Sequence, residues 1–356
     1  MRHSIIPPYL LARLADSAGD RFPRAAEAAR SALRDDEPVR LARAARPRYH
    51  DFGEARPGAA MARRPEGPRR TIYDARNGEE LPGHRVRAEG EPDVVEDDAA
   101  NEAYDGLGAT YAMFAEAFGR ASIDDRELRL DATVHYGADY DNAFWDGGRM
   151  VFGDGDGEVF GRFTASISVI GHELGHGVTQ FTANLQYQGQ SGALNESISD
   201  VFGALVEQHD RGQDAAAASW LIGAELFTDA VEGAALRSMT EPGTAYDDDV
   251  LGKDPQPPHM ADFVDTTEDY GGVHINSGIP NRAFALTATA IGGYAWEAPG
   301  RIWYETLTGG SLGPTTDFAG FAAATVATAT RLYGEDSRER AAVADAWQAV
   351  GVPVTT

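Results

Sequence analysis

Two histidines four positions apart, His172 and His176, lie in an apolar, glycine-containing stretch, IGHELGHGV, that is typical of an α-helix. Residues four apart share one helix face, so both imidazoles can reach a single metal ion, as in the H-E-x-x-H pattern. Glu173 lies about 100° round the helix from His172, where its carboxylate can reach a water beside the ion without ligating it. The same pattern also occurs by chance as a pair of surface histidines, so the site needs support from elsewhere in the chain.

That support is expected downstream, because a catalytic zinc ion takes three protein ligands and leaves one position for water. The segment SGALNESISD places Glu196 and Asp200 one turn apart on a second predicted helix. We assign Glu196 as the third ligand, with Asp200 accepting the free ring N–H of one histidine and Asn195 that of the other. The alternative is an acidic pair that complements a helix dipole. Apolar neighbours favour a buried helix and hence the metal site.

Composition restricts the chemistry and the partners. The 356 residues contain no cysteine, so no disulfide holds the fold and a transition metal must be held by His, Asp or Glu. The net charge of −25 argues against nucleic acid as a partner, since phosphate backbones require clustered Lys and Arg. No apolar run is long enough to span a membrane, so no membrane partner is expected.

The charge is unevenly distributed. Residues 1–70 contain 15 Arg and 9 Asp or Glu, a balance of +6, whereas residues 71–356 carry −31. A basic head is attracted to an acidic body, which is what a docked prosegment needs. A solvated arm is the alternative.

The chain divides into four parts. Residues 1–45 carry two apolar helical patterns, around Leu10–Leu14 and Ala25–Leu33, and are predicted to form a prosegment. Residues 46–70, rich in Pro, Gly and Arg, are predicted to be an exposed linker with a processing site. Residues 71–180 form a predicted strand-rich N-terminal lobe that ends with the HELGH helix, and residues 181–356 a mainly helical C-terminal lobe. Strands are predicted near 71–74, 128–135 and 150–152, and helices near 99–118, 165–181, 193–209, 281–297, 317–333 and 337–349.

Several separated motifs occur in a fixed order along the chain. They are HELGHGVTQFTANLQYQGQSGALNESISDVFG, the NAFW of 142–145, the MVFGDGDG of 150–157, the GGVHINSG of 271–278 and the C-terminal DAWQAVGV. Together they resemble the thermolysin family of zinc metalloendopeptidases over residues 71–353. The resemblance implies an α+β fold of two lobes, strand-rich and then helical, with one catalytic zinc ion at their junction. It also implies hydrolysis of internal peptide bonds in protein or peptide substrates.

The resemblance implies catalytic roles that these side chains can perform. Glu173 would act as general base on the zinc-activated water and pass the proton to the leaving amine. His274 and Tyr187 match positions that donate hydrogen bonds to the oxyanion. Asp269, five residues before His274, matches the acid that orients its imidazole and favours its protonated form.

Substrate binding is implied in the same way. Asn142 and Ala143 match an edge that pairs with an extended peptide backbone. Arg237 matches the residue that binds a substrate carbonyl. Four apolar residues match the pocket just after the scissile bond, which implies cleavage before bulky apolar residues; ordinary core is the equal alternative. They are Phe160, Phe163, Val169 and Leu236.

Calcium is where the sequence departs from larger thermolysin relatives. Of the carboxylates that hold their double calcium site only Glu207 is kept; the other positions fall on Ser168, Ser219, Leu221 and Ala224. Since hard cations need several anionic oxygens, the double site is predicted to be absent. A further calcium loop is doubtful, because Thr228 is kept but an expected acid falls on Ala234.

The head opens with Ile5-Ile6-Pro7-Pro8-Tyr9, which resembles the short prosegment of protealysin-like members of the family. Manufacture as a zymogen, with the prosegment as an intramolecular partner, is implied. Pro7-Pro8 as a plain helix-start signal is the alternative.

Other functions and locations remain open at this stage. A catalytically silent zinc-containing peptide-binding module is the main alternative, and an exopeptidase would need a group that binds a free amine. The resemblance implies an extracellular monomer, although the N-terminus shows no secretory signal pattern, which leaves the cytoplasm as the alternative.

Overall fold

The computed structural model describes residues 3–19, 21–44, 67–91 and 95–354. The head contributes β1 (His3–Ser4), α1 (Pro8–Ser17) and α2 (Pro23–Ala44). The N-terminal lobe comprises β2 (Arg70–Asp74), β3 (His84–Ala88), α3 (Asp98–Phe118), β4 (Leu130–Val134), β5 (Ala143–Trp145) and β6 (Met150–Phe152). Next come α4 (Ile167–Gln180) and α5 (Gly189–Arg211), then four two-residue strands, β7 (Leu221–Ile222), β8 (Arg237–Ser238), β9 (Asp247–Asp248) and β10 (Gly252–Lys253). The chain continues with α6 (Asp269–Asn276), α7 (Gly278–Ile291), α8 (Ala298–Thr308), α9 (Phe318–Tyr333) and α10 (Arg338–Ala349).

One mixed sheet organises the N-terminal lobe, with strand order β1-β5-β6-β4-β2-β3. β2, β4 and β6 run parallel to their neighbours in that set, whereas β3, β5 and β1 pair antiparallel. The head therefore supplies an edge strand, in which Ser4 pairs with Phe144. Pairing by strand addition covers the open edge of β5.

Helix α3 has the two caps that its sequence specifies. Asp97 accepts a hydrogen bond from Ala100 N at the N-terminus, and Gly119 ends the helix in a left-handed conformation, with φ of 70°. Its buried face includes Leu107 and Phe114. The predicted helix of residues 99–118 is therefore present in full.

Helices α4 and α5 approach closely because their contact surfaces lack side-chain bulk. A Cβ on Gly175 would lie 3.0 Å from Ser199 Cα, and one on Gly203 would lie 2.3 Å from the Ser168 carbonyl oxygen. Any larger residue at Gly203 would force the helices apart. This close approach places the histidines of α4 against the acidic side chains of α5.

The head packs mainly through apolar side chains. Ile5, Ile6, Leu11 and Leu14 are fully buried. The ionic contacts are fewer: Arg24 pairs with Asp139 at 2.6 Å, with both side chains about half exposed. Exposed pairs contribute only about 0–1 kcal/mol, whereas each buried aliphatic side chain contributes about 1.5–3 kcal/mol. Apolar burial therefore contributes more to the docking of the head than its ion pairs do, although the charge asymmetry had suggested electrostatic attraction.

Some elements had no sequence prediction. In α8, Pro299 and Gly300 follow the first residue, Ala298, and obscure the apolar pattern; α6 was not predicted either, and its residues 270–272 have non-helical backbone angles. Residues 46–66 of the predicted linker lie outside the described residues, and β2 begins at Arg70, the last linker residue; the processing site within 46–70 stays a prediction. None of the described helices has the length and apolar character to cross a membrane.

Candidate metal centre and active site

The two histidines of α4 and the glutamate of α5 converge at the junction of the lobes. His172 Nε2 and His176 Nε2 lie 3.1 Å apart, and oxygens of Glu196 lie 3.5 Å from the first and 3.4 Å from the second. All three side chains are buried. Their ligand atoms all lie within 4.8 Å of one another, the one such group among the described residues.

The other ring nitrogens of the histidines are held by α5. His172 Nδ1 lies 2.7 Å from Asp200 Oδ1. His176 Nδ1 lies 2.9 Å from Asn195 Oδ1 and 3.0 Å from Ser199 Oγ. An Nδ1–H held in this way leaves the Nε2 lone pair facing the ligand position. The sequence analysis missed Ser199, although it directly precedes Asp200.

Asp200 also connects the metal centre to Arg237 and Asn281. Arg237 donates to both Asp200 oxygens, at 2.8 Å from Nε and 2.8 Å from Nη2, and Asn281 Nδ2 donates at 2.8 Å. Burial alone would raise the pKa of Asp200, but Arg237 and His172 outweigh it and hold that pKa below its usual range. Asn281 lies on α7, 81 residues from Asp200, and no local sequence signal links them.

The donor set fits a zinc ion. Two imidazoles and one carboxylate, with a further position open, are the ligands of many catalytic zinc sites. Glu196 Oε2 is buried and has no hydrogen-bond partner within the described part of the chain, while Oε1 accepts from the Tyr187 hydroxyl. A buried, unpaired carboxylate oxygen beside two converging imidazoles is costly without a cation.

Glu173 lies beside this centre with one oxygen free. Its Oε2 accepts from Trp145 N at 3.0 Å, and its buried Oε1 has no partner among the described residues. Burial and the Glu196 carboxylate raise the pKa of Glu173, and the Trp145 N–H opposes them. A bound dication would lower it again. The free oxygen can therefore exchange a proton with a water at the centre.

His274 and Tyr187 lie beside the third residue of the centre, Glu196. Tyr187 Oη is 3.2 Å from His274 Nε2, and His274 Nδ1 is 2.6 Å from Asp269 Oδ1. Burial lowers the pKa of His274, but the carboxylates of Asp269 and Glu196 overcome this and raise it to about 9. The imidazole is therefore a cation at neutral pH and can donate from Nε2.

An unusual backbone positions His274. Four consecutive residues from Asp269 to Gly272 have left-handed φ values, between 48° and 82°. Such a conformation costs about 1–3 kcal/mol at each non-glycine residue, so the surrounding contacts must hold it. Asp269 supplies two of them, because it also accepts from His274 N at 2.9 Å.

The N-terminal segment lies in the cleft in front of these groups. Ile5 N donates to the Ala143 carbonyl at 3.2 Å, and Ile6 N donates to Asn142 Oδ1 at 3.1 Å. Arg237 Nη1 donates to the Ile5 carbonyl at 3.3 Å, and His274 Nε2 lies 3.3 Å from the Ser4 carbonyl oxygen. Groups expected to bind substrate thus contact the head.

The four apolar pocket residues, Phe160, Phe163, Val169 and Leu236, are all buried. The rings of Phe160 and Phe163 lie 5.8 Å apart, and Phe160 stacks on Phe227 at 5.5 Å. These contacts are those of a core cluster, and a role in a substrate pocket remains a prediction.

At the expected calcium position an arginine lies against the retained carboxylate. Arg211 Nη1 is 2.5 Å from Glu207 Oε1, and Arg211 Nη2 is 2.8 Å from Glu225 Oε1. The sequence analysis missed both Arg211 and Glu225. A guanidinium between two carboxylates supplies the positive charge that a calcium ion would otherwise bring.

Comparisons with known proteins agree with this geometry. The catalytic domain of thermolysin metallopeptidases matches residues 63–180, and their alpha-helical domain matches residues 183–352. An extracellular metalloprotease of Pectobacterium carotovorum is 48% identical over 99% of this chain and 96% of its own length. Protease PrtS of Photorhabdus is 55% identical over 80% of this chain and 76% of its own.

A solved structure extends the likeness to the head. The precursor of protealysin, a metalloproteinase from Serratia proteamaculans, superposes with a TM-score of 0.87 at 48% identity, covering 99% of this chain and 100% of that one. The predicted α+β fold, zinc dependence, endopeptidase class and zymogen form are confirmed. The chain belongs to the thermolysin family of zinc metalloendopeptidases.

Proposed function

We propose that this endopeptidase uses Glu173 as general base, His274 and Tyr187 as oxyanion donors and Asp269 as the residue that positions His274. The observation that carries the proposal is the buried, unpartnered Oε1 of Glu173 beside the three converging ligands His172, His176 and Glu196. Among the residues outside the ligand set, Glu173 would transfer protons, and His274 and Tyr187 would stabilise the developing negative charge.

A bound zinc ion supplies electrophilic polarisation and makes water in its open position more acidic. Glu173 takes a proton from the attacking water and delivers it to the leaving amine. His274, with its raised pKa, donates from Nε2 to the developing oxyanion together with the Tyr187 hydroxyl. These donors lie within the buried cleft, where a fixed charge acts more strongly than in water.

Substrate would pair with Asn142 and Ala143 as an added strand, and Arg237 would hold the carbonyl that follows the scissile bond. Phe160, Phe163, Val169 and Leu236 would line the pocket after the cut, which would favour bulky apolar residues there. Cleavage within the linker 46–70 would release the prosegment 1–45 and leave the two lobes, 71–180 and 181–356, as an active monomer. The extracellular relative supports action outside the cell.

The decisive experiment removes the general base and keeps the metal site. Glu173→Gln, freed of its head, should retain zinc by elemental analysis but lose hydrolysis of an internally quenched peptide blocked at both ends. The loss should be at least about 100-fold, the lower end for a general base. Wild-type activity in the variant would refute the assignment. Failure of the wild type to cut the blocked peptide would instead favour an exopeptidase or a silent binding module.

A further inference from the structure

The head enters the cleft with the polarity and spacing of a bound peptide. Its backbone donates from Ile5 N to the Ala143 carbonyl of β5 and from Ile6 N to the side chain of Asn142, and the Ile5 carbonyl accepts from Arg237. The β1–β5 pairing is antiparallel, with His3 opposite Trp145. Three successive backbone groups, the Ile5 N–H, the Ile5 carbonyl and the Ile6 N–H, therefore form hydrogen bonds with residues to which substrate binding is assigned.

The contacts define which peptide bond lies at the catalytic groups. The Ser4 carbonyl oxygen is 3.3 Å from His274 Nε2, and that nitrogen is 3.2 Å from the Tyr187 hydroxyl. The next carbonyl, that of Ile5, lies instead on Arg237 at 3.3 Å. The carbonyl of Ser4 therefore lies at the proposed oxyanion donor His274, whereas the carbonyl of Ile5 lies beyond it, at Arg237.

We propose that the head is bound as a substrate and that the site hydrolyses its own Ser4–Ile5 peptide bond. This inference rests on the proposed function of Glu173 and His274. Water adds to the carbonyl carbon of Ser4 and the C–N bond to Ile5 breaks. One water proton reaches the Ile5 nitrogen through Glu173, and at neutral pH the new carboxyl group supplies the other. The products are a carboxylate at Ser4 and an ammonium group at Ile5.

This cut differs from removal of the head. Residues after Ile5 stay anchored, because Leu10, Leu11 and Leu14 of α1 are buried. The new ammonium group would remain beside the Ala143 carbonyl, which accepts from Ile5 N at 3.2 Å. The trimmed protein therefore keeps the half of the cleft after the scissile bond occupied, and stays inhibited until the linker is cut.

The same register specifies a substrate class. Ile5 and Ile6 are fully buried, and Ser4 is nearly so. Peptides with a small polar residue before the cut and two successive β-branched apolar residues after it match the positions that the head fills.

Mass spectrometry of the full-length, zinc-loaded protein tests the proposal. A species that begins at Ile5 should accumulate before any linker cleavage, at a rate independent of protein concentration, and be absent from Glu173→Gln. Ile5→Asp should slow this cut by at least about 100-fold, because it places an ionised carboxylate at a fully buried apolar position. The control Ala12→Asp adds the same charge at an exposed position of α1 and should be cut like wild type.

A second measurement covers the case in which Ile5→Asp displaces the head. Head-free enzyme is given the end-blocked peptide Arg-His-Ser-Ile-Ile-Pro-Pro, which it should cut between Ser and the first Ile. Cleavage of this peptide at another bond overturns this inference alone. An intact Ser4–Ile5 bond in the full-length protein does the same, provided that the head-free enzyme hydrolyses other blocked peptides. Head-free enzyme that hydrolyses no blocked peptide overturns the proposed function as well.

Discussion

Arg237 forms a two-pronged ion pair with Asp200, with both hydrogen bonds 2.8 Å long, and the same carboxylate holds His172 Nδ1 at 2.7 Å. Both partners are buried. One carboxylate thus orients an imidazole of the metal centre and neutralises the arginine that donates to the Ile5 carbonyl of the head. We expect metal binding and occupancy of the cleft to be coupled through it.

Asp200→Asn tests this coupling. The amide is a weaker acceptor for His172 and leaves Arg237 charged, buried and unpaired. Zinc affinity should fall about 10–100-fold, as for other residues that hold a metal-bound histidine, and the free energy of unfolding should drop by about 3–5 kcal/mol. Competition with a chromogenic chelator measures the first, and denaturant unfolding the second. Unchanged zinc affinity would contradict the role given to Asp200.

Asp141→Asn should stabilise the protein at neutral pH. Asp141 is fully buried, and burial and then the neighbouring Asp156 raise its pKa well above the usual value. A raised carboxyl pKa contributes stability below about pH 3.8, and that contribution is lost as the pH rises towards the folded-state pKa. The amide does not titrate, so the variant's advantage should grow from pH 4 to pH 7. Thermal unfolding at both pH values measures it, with exposed Asp210→Asn as the control; an equal advantage at both would count against the explanation.

His135→Asn should lose a pH-dependent part of the stability. Hydrogen bonding and charge from Asp154, joined by Asp97, outweigh burial and raise the pKa of His135 to about 9. This contribution is complete below about pH 6.5 and is lost as the pH rises through about 9. Asparagine tolerates the left-handed backbone here, φ 54°, so the change isolates the charge. Wild type should melt higher than the variant at pH 6 and lose that lead by pH 9.5; a constant difference would show that the charge does not matter.

Calcium should leave the stability of the wild type unchanged. Arg211 already neutralises Glu207 and Glu225 at the position where a calcium ion would be needed. The melting temperature should be the same in millimolar calcium and in a calcium-selective chelator, whereas zinc removal should abolish activity. The substitution Arg211→Ala should lower the melting temperature, since the carboxylates of Glu207 and Glu225 then repel each other. A rise of the wild-type melting temperature with calcium would show a site that these residues do not reveal.

Leu14→Ala should activate the uncleaved zymogen. Leu14, in α1 of the head, is fully buried, and shortening such a side chain costs about 2–5 kcal/mol. The weakened head should leave the cleft more often, and full-length protein should hydrolyse a blocked peptide faster than wild type. Arg24→Ala removes the half-exposed pair with Asp139 and should have a much smaller effect. The two head-free enzymes are identical, which controls for damage to the catalytic lobes; a larger effect of Arg24→Ala would reverse the ranking.

Local patterns predicted a large part of the site. The i, i+4 spacing of His172 and His176, and the single helical turn from Glu196 to Asp200, are properties of one helix each, and helix geometry alone sets which side chains share a face. Family motifs then pointed to His274 and Tyr187, which lie 3.2 Å apart although 87 residues separate them. Spacing could not have paired these two, because they come from different segments.

Other relationships had no sequence signal. Asn281 reaches Asp200 from α7, and Arg211 reaches Glu225 in the loop after β7; only the pair of Arg211 with Glu207, four positions earlier on α5, follows a helical spacing. Each is a contact between common polar residues, and such residues are mostly solvated on a protein surface. Only packing decides which of them are buried together.

The three converging ligands, the two-lobed order of elements and a basic head with two helices could be predicted from the sequence, because these depend on residue type and on spacing within a helix. Only the packed chain brings the Ser4 and Ile5 carbonyls against His274 and Arg237. A two-residue strand has no periodicity to recognise, and it becomes a strand only by pairing with β5 more than 130 residues away. That placement depends on the apolar burial of α1 and α2, a property of the packed surface that no segment carries alone.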